Sequence, residues 1–116
     1  MSNQNADSSS TNKTALSEEY ASGWLTLTKN ESVQYVIDAL LDSSAYREFN
    51  KSELAEQAGV SRQSVIRHVG QLVELGILEP VEGTNPTRYR FNQESPVSEA
   101  IINVDATVSM APSGDT

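Results

Sequence analysis

The chain contains no cysteine and a single histidine. Without thiols there is no disulfide, no thiol redox switch and no thiolate metal site, and one histidine cannot build a histidine-rich site either. Tryptophan occurs once, at Trp24, and lysine only at Lys13, Lys29 and Lys51. No apolar run approaches the roughly 20 residues of a membrane span. The opening MSNQNADSSSTNKT lacks the apolar segment of a secretory signal, so a soluble, cytoplasmic protein without membrane contact is expected. Also missing are a phosphate-cradling glycine loop and a Ser-His-Asp set. Asp38/Asp42 and Glu53/Glu56 are carboxylate pairs at helical spacing, but they suit solvated faces or caps. No catalytic residue, cofactor or metal site is expected, and the chain is not read as an enzyme.

Positive charge is scarce too: the net charge is −8. That balance argues against a nucleic-acid partner until its distribution is considered. Between Ala45 and Phe91 stand Arg47, Lys51, Arg62, Arg67, Arg88 and Arg90, balanced by Glu48, Glu53, Glu56, Glu74, Glu79 and Glu82. This window is neutral, and the whole −8 comes from the flanks. Few lysines, many acidic residues and a low pI suit a salt-loving archaeon. An ordinary acidic protein with acidic flanks fits the same numbers.

What is present is organised around KSELAEQAGVSRQSVIRHVGQLVEL, residues 51–75. Asn50 and Glu53 have the spacing of a capping box. Leu54, Ala55 and Ala58 line one side of a short helix. Gly59 then supplies a sharp turn, because it accepts a positive φ at no steric cost. Ser61 can cap the next helix, along which Val65, Val69, Leu72 and Val73 recur at helical spacing. Gly76 stops that helix. The spacing of Ala55, Gly59 and Val65 is that of a helix-turn-helix. Gly76-Ile77-Leu78, the turn Pro80 to Pro86, and Arg88-Tyr89-Arg90-Phe91 follow.

Helix, Gly-Ile-Leu, strand, turn, strand resembles the small winged helix-turn-helix regulators of the MarR and ArsR type found in archaea. The resemblance covers roughly residues 31 to 92 and is most specific over 51–78. It implies a mainly α fold with a small β-wing: a three-helix core, a β-hairpin and flanking short helices. It also implies a short strand over Tyr46 to Phe49 pairing with the wing, and DNA as partner.

The rest of the chain fits around this unit. Residues 1–15 are polar and are expected to form a disordered tail. The winged domain with its flanking helices then occupies 16–104. A short helix over 17–25 is expected despite Gly23, with Trp24 in a core or dimer interface. Asn30 can cap a helix to Asp42, whose Val33, Val36, Ile37, Leu40 and Leu41 form one apolar stripe. Pro80 marks an edge strand. Tyr89 and Phe91 should share one face of their strand and Arg88 and Arg90 the other. Ser95-Pro96 opens a last helix with Val97, Ala100, Ile101 and Val104 apolar, and a second polar tail is expected over 105–116.

In a helix-turn-helix the N-terminal part of the second helix enters the major groove. Outside the apolar stripe it offers Ser61, Arg62, Gln63, Ser64, Arg67, His68 and Gln71. Arginine can bond two guanine acceptors and glutamine can do the same for adenine. Arg67 and Gln63, four apart, are therefore the expected base readers, and Arg62 a phosphate contact. Ser61 can cap, contact DNA, or both, and His68 is either a reader or an idle surface residue. Lys51 can reach a phosphate or stay solvated. In the wing, Thr84, Asn85, Thr87, Arg88 and Arg90 are candidates for the flanking backbone and minor groove. Arg90 can instead pair with an acidic neighbour, and Glu82 departs from a basic wing. So few cations suggest that specific binding needs a homodimer. The resemblance leaves room for a small-molecule effector near the dimer interface, which nothing in the sequence names. The alternative function is a winged-helix protein-interaction module of the transcription or replication machinery, which the acidic flanks favour.

Overall fold

The computed structural model describes residues 22–112. These fall in two units, one ending at Gln34 and the other beginning at Tyr35. The tail expected over residues 1–15 lies outside the described residues. No helix among the described residues is long and apolar enough to cross a membrane.

In the first unit, helix α1 (Gly23–Thr28) starts at Ser22, whose Oγ accepts the Leu25 N–H at 3.1 Å. Residues 17–21 of the helix expected over 17–25 lie outside the described residues; within those described, α1 runs on to Thr28. Gly23 takes its first position, where it does not interrupt the hydrogen-bond ladder. Trp24 is 66% exposed and is no core residue of this chain. Helix α2 (Glu31–Asp42) begins here as well, with Asn30 Oδ1 accepting the N–H of Ser32 at 2.9 Å and of Val33 at 3.3 Å. The Gln34 side-chain amide donates to the Thr28 carbonyl.

In the second unit, α2 buries Val36, Ile37, Ala39 and Leu40. Strand β1 is only Glu48–Phe49. The expected strand from Tyr46 is thus cut short, because Tyr46 has φ 67 and cannot be extended. Helix α3 (Lys51–Ala58) carries the full capping box. Asn50 Oδ1 accepts the Glu53 N–H at 2.8 Å, and Glu53 Oε1 accepts the Asn50 N–H at 2.9 Å. Gly59 closes the helix in the left-handed region, with φ 72. Helix α4 (Arg62–Glu74) then starts at Ser61 and buries Val65, Val69 and Leu72. Gly76, with φ 84, ends it in a Schellman motif: Ile77 N–H reaches the Leu72 carbonyl at 2.9 Å and Gly76 N–H the Val73 carbonyl at 3.0 Å.

Strands β2 (Leu78–Val81) and β3 (Arg88–Phe91) form the wing hairpin. The antiparallel sheet has the order β1-β3-β2, so Pro80 does lie on an edge strand. Tyr89 and Phe91 are buried while Arg88 and Arg90 face outward, the expected alternation. Phe49, Leu40, Leu54, Leu72, Ile77 and Leu78 are the largest side chains at the centre, and α3 packs on α4 and β1.

Helix α5 (Pro96–Met110) starts at Ser95, whose Oγ accepts the Ser98 N–H at 3.1 Å. It continues well past Asp105, where a loose tail was expected, and this corrects the sequence reading. No glycine or proline interrupts the chain between Pro96 and Pro112, and Val104 and Val108 extend the stripe by a further turn. Ser98 is 0% exposed, and its hydroxyl has no partner among the described residues. A buried hydroxyl without a hydrogen bond carries its full desolvation cost. Ser98→Ala should therefore stabilise the protein by about 1 kcal/mol, seen as a raised melting temperature. An unchanged or lower value would mean that the hydroxyl is bonded in solution.

Candidate nucleic-acid interface

Helix α4 is held at its start by two side chains. Ser61 Oγ accepts the Ser64 N–H at 3.1 Å and donates to Ser64 Oγ at 3.0 Å. Arg62 Nε donates to Ser52 Oγ at 3.0 Å, tying the start of α4 to the start of α3. Ser61 is thus a working cap, and Arg62 is anchored at the helix start.

At 100° per residue, the side opposite Val65, Val69 and Leu72 carries Gln63, Arg67, Gly70 and Glu74, with Gln71 on one flank and Ile66 on the other. All six are exposed. Among the described residues no carboxylate pairs with Arg67. Gln63, Arg67 and Gln71 are therefore brought together at one-turn spacing with their polar groups available. Glu74 puts negative charge at the C-terminal end of this face, which leaves the N-terminal part as the end suited to phosphate. His68 sits to the side and is half-buried. Burial, and then the neighbouring Arg67 cation, hold its imidazole below the usual 6.5 and so favour the neutral form. Ile66 was not among the sequence candidates. Its signal was available, since it stands one residue off the Val65–Val69 stripe.

Both wing arginines are engaged within the chain, an outcome expected as an alternative for Arg90 but not for Arg88. The strand register sets Arg90 between Glu48 on β1 and Glu79 on β2. Arg90 Nε bonds Glu79 Oε2 at 2.8 Å, which is the main cause holding its pKa above the ordinary value, and Nη1 lies 3.9 Å from Glu48 Oε2. Arg88 Nη2 bonds Glu53 Oε1 at 2.8 Å and the Glu48 carbonyl at 3.1 Å, with Nε 3.6 Å from Glu48 Oε1. Both cations are compensated within the sheet and clamp it to the start of α3. Arg88 thus has acidic partners that the sequence reading did not name, and Arg90 has the acidic neighbour that the reading allowed for. Thr84 is likewise engaged: its hydroxyl donates to the Val81 carbonyl at 2.7 Å and accepts the Arg88 N–H at 2.9 Å, closing the wing turn. Asn85 is exposed at the tip and Thr87 half-buried beside it. Lys51 lies over the Tyr89 ring, its Nζ 5.5 Å from the centroid.

Glu53 has two duties, cap and ion-pair partner. The Asn50 N–H holds its carboxyl below the ordinary 4.5; desolvation opposes this, and Arg88 and Arg47 reinforce it. A carboxyl with a depressed folded pKa contributes stability above its ordinary pKa and loses it as the pH falls through the depressed value. Melting temperatures should therefore fall as the pH drops below the ordinary glutamate range. Glu53→Gln, which can keep the N3 cap but not the charge, should flatten that fall. Equal acid sensitivity in the two proteins would exclude Glu53 as a source of it.

Among the described residues no group of three His, Asp or Glu side chains comes together as a metal ion would need. A shallow hollow of about 290 Å³ opens beside Tyr46, Glu79, Arg90 and Glu94, but its cation is already bonded to Glu79.

A helix-turn-helix at Lys51–Glu74 followed by a β2–β3 hairpin defines a winged helix-turn-helix fold. The chain is similar in structure to NolR from Sinorhizobium fredii, with a TM-score of 0.57 and 19% sequence identity over 85% of this chain and 93% of that one. At such identity the likeness carries the fold. No protein-family model matches the chain, and no curated protein matches it.

Proposed function

We propose that the chain is a sequence-specific DNA-binding transcription regulator in which the N-terminal part of α4 lies in the major groove. The observation that carries this reading is the outer face of α4. It presents an uncompensated Arg67 between Gln63 and Gln71, on a helix whose opposite side is buried through Val65, Val69 and Leu72. Arginine and glutamine at one-turn spacing can meet successive base pairs with two hydrogen bonds each. Arg62, Ser64 and Lys51 sit at helix starts, where phosphate is favoured. The wing contributes through its tip, Asn85 and Thr87, rather than through Arg88 and Arg90.

With the wing arginines compensated, few cations remain for phosphate, and a single copy would bind weakly. A homodimer on a two-fold related site supplies the rest. Helix α5 exposes Val104, Val108 and Met110, the last 81% exposed, and α1 exposes Trp24. These are the surfaces that a second copy would cover. Such a regulator would act in the cytoplasm.

Selection of duplexes from a randomised pool, followed by gel shift with excess unrelated DNA, tests the proposal. A recurrent site and a competitor-resistant shift are expected. A pool that never converges would favour the second reading, a protein-interaction module, for which the carboxylate-bound Arg88 and Arg90 speak.

A further inference from the structure

We infer that Ile66 reads the 5-methyl group of a thymine, next to the bases contacted by Gln63 and Arg67. This rests on the DNA-binding reading and adds a base to it. Ile37 and Ile77 are buried, whereas Ile66 is 39% exposed, with the half-buried Val73 on one side of it and the polar side chains and glycine of the outer face on the other. One turn further on is Gly70. A Cβ built there would meet nothing within 4 Å, so no packing inside the chain calls for a glycine. Alanine would favour the helix by about 1 kcal/mol. An apolar knob beside a bare turn of helix is thus kept on the outer face although both features work against the isolated domain.

The neighbours of this pair indicate what covers it. Gln63, Arg67 and Gln71 are donors suited to base edges, and no carboxylate pairs with Arg67 among the described residues. A face with an uncompensated cation and no acid before Glu74 complements a polyanion. The major groove offers one alkyl group, the thymine methyl, and apolar side chains are its partners. The missing side chain at Gly70 lets the helix settle close enough for a short, branched residue such as isoleucine to reach it. The predicted half-site therefore holds a thymine adjoining the bases read by Gln63 and Arg67.

The test uses the full-length protein and the duplex recovered from the randomised pool. Each thymine is replaced in turn by deoxyuridine, which removes only the methyl group. At one thymine per half-site the wild-type affinity should drop about fourfold, the factor for one buried methyl-sized group. Ile66→Ala should bind the thymine duplex more weakly by a similar or larger factor and should not distinguish thymine from uracil at that position. If no replacement affects the wild type, or if the uracil penalty persists in Ile66→Ala, the assignment is wrong. A change in the sedimentation mass of Ile66→Ala, with the methyl group irrelevant, would make Ile66 a protein contact and also overturn it. Failure to recover any duplex would instead remove the DNA-binding reading itself.

Discussion

Arg67→Ala should lower affinity for the selected duplex about 10- to 100-fold and leave binding to unrelated DNA far less affected. Arg67 is the base-reading candidate with a full charge, and among the described residues no carboxylate offsets it. A good bidentate contact is worth about 1–3 kcal/mol of discrimination, and each 1.4 kcal/mol is about a factor of ten. The side chain is exposed and makes no cap, so its loss should change folding stability by no more than about 0.5 kcal/mol. The variant should also relax the preference at one position of the site. Arg62→Ala provides the contrast. Its side chain lies at the helix start against Ser52, so its loss should weaken all sequences alike and reduce the salt slope by about one unit. Gel-shift titrations of both variants against the selected and scrambled duplexes separate these outcomes. Equal losses on the two duplexes for Arg67→Ala would place Arg67 on the backbone rather than on a base.

The parts of this fold that were legible in the sequence are those set by neighbours in the chain. The Asn50–Glu53 capping box, the left-handed Gly59, the Schellman turn at Gly76 and the Val65–Val69–Leu72 stripe each depend on residues a few positions apart. The fate of the wing arginines was not legible in this way. Arg88 is bonded to groups 35 and 40 residues away, and those partners are fixed only by the β1–β3 register. A basic residue in a wing looks like a phosphate contact until the strand opposite it is known to carry Glu48. The length of α5 was misread for a different reason. Its last turns are exposed, so no buried stripe marked them, and the signals for their continuing were the absence of a breaker before Pro112 and Val108 one turn beyond Val104. On the outer face of α4, Gln63, Arg67 and Gln71 followed from the helical period, and Ile66 would have followed had the same period been applied to apolar residues.

Phe49→Ala should be the most destabilising of the changes considered, by about 3–5 kcal/mol. Phe49 is 0% exposed and is half of β1, whose only other residue is Glu48. It stands opposite Tyr89 on β3, with the Arg47 guanidinium 4.6 Å above its ring centre, and immediately precedes the Asn50 cap of α3. Removing the ring leaves a cavity where the sheet meets the helix and loosens the strand that presents Glu48 to both wing arginines. A domain of this size has about 5–15 kcal/mol in all, so the loss is a large fraction of it. At about 4–8 °C per kcal/mol, the melting temperature followed by circular dichroism should fall by at least about 12 °C. Phe49→Leu, which fills most of the space, should fall much less. A drop of under about 1 kcal/mol for Phe49→Ala would mean that β1 is not a structural part of the sheet. The two predictions are also separable from each other. Below its melting point, Phe49→Ala should keep the sequence preference of the wild type, because the outer face of α4 is set by Val65, Val69 and Leu72. Arg67→Ala should melt like the wild type and lose that preference. Together they divide the chain into residues that hold the reading helix and residues that read.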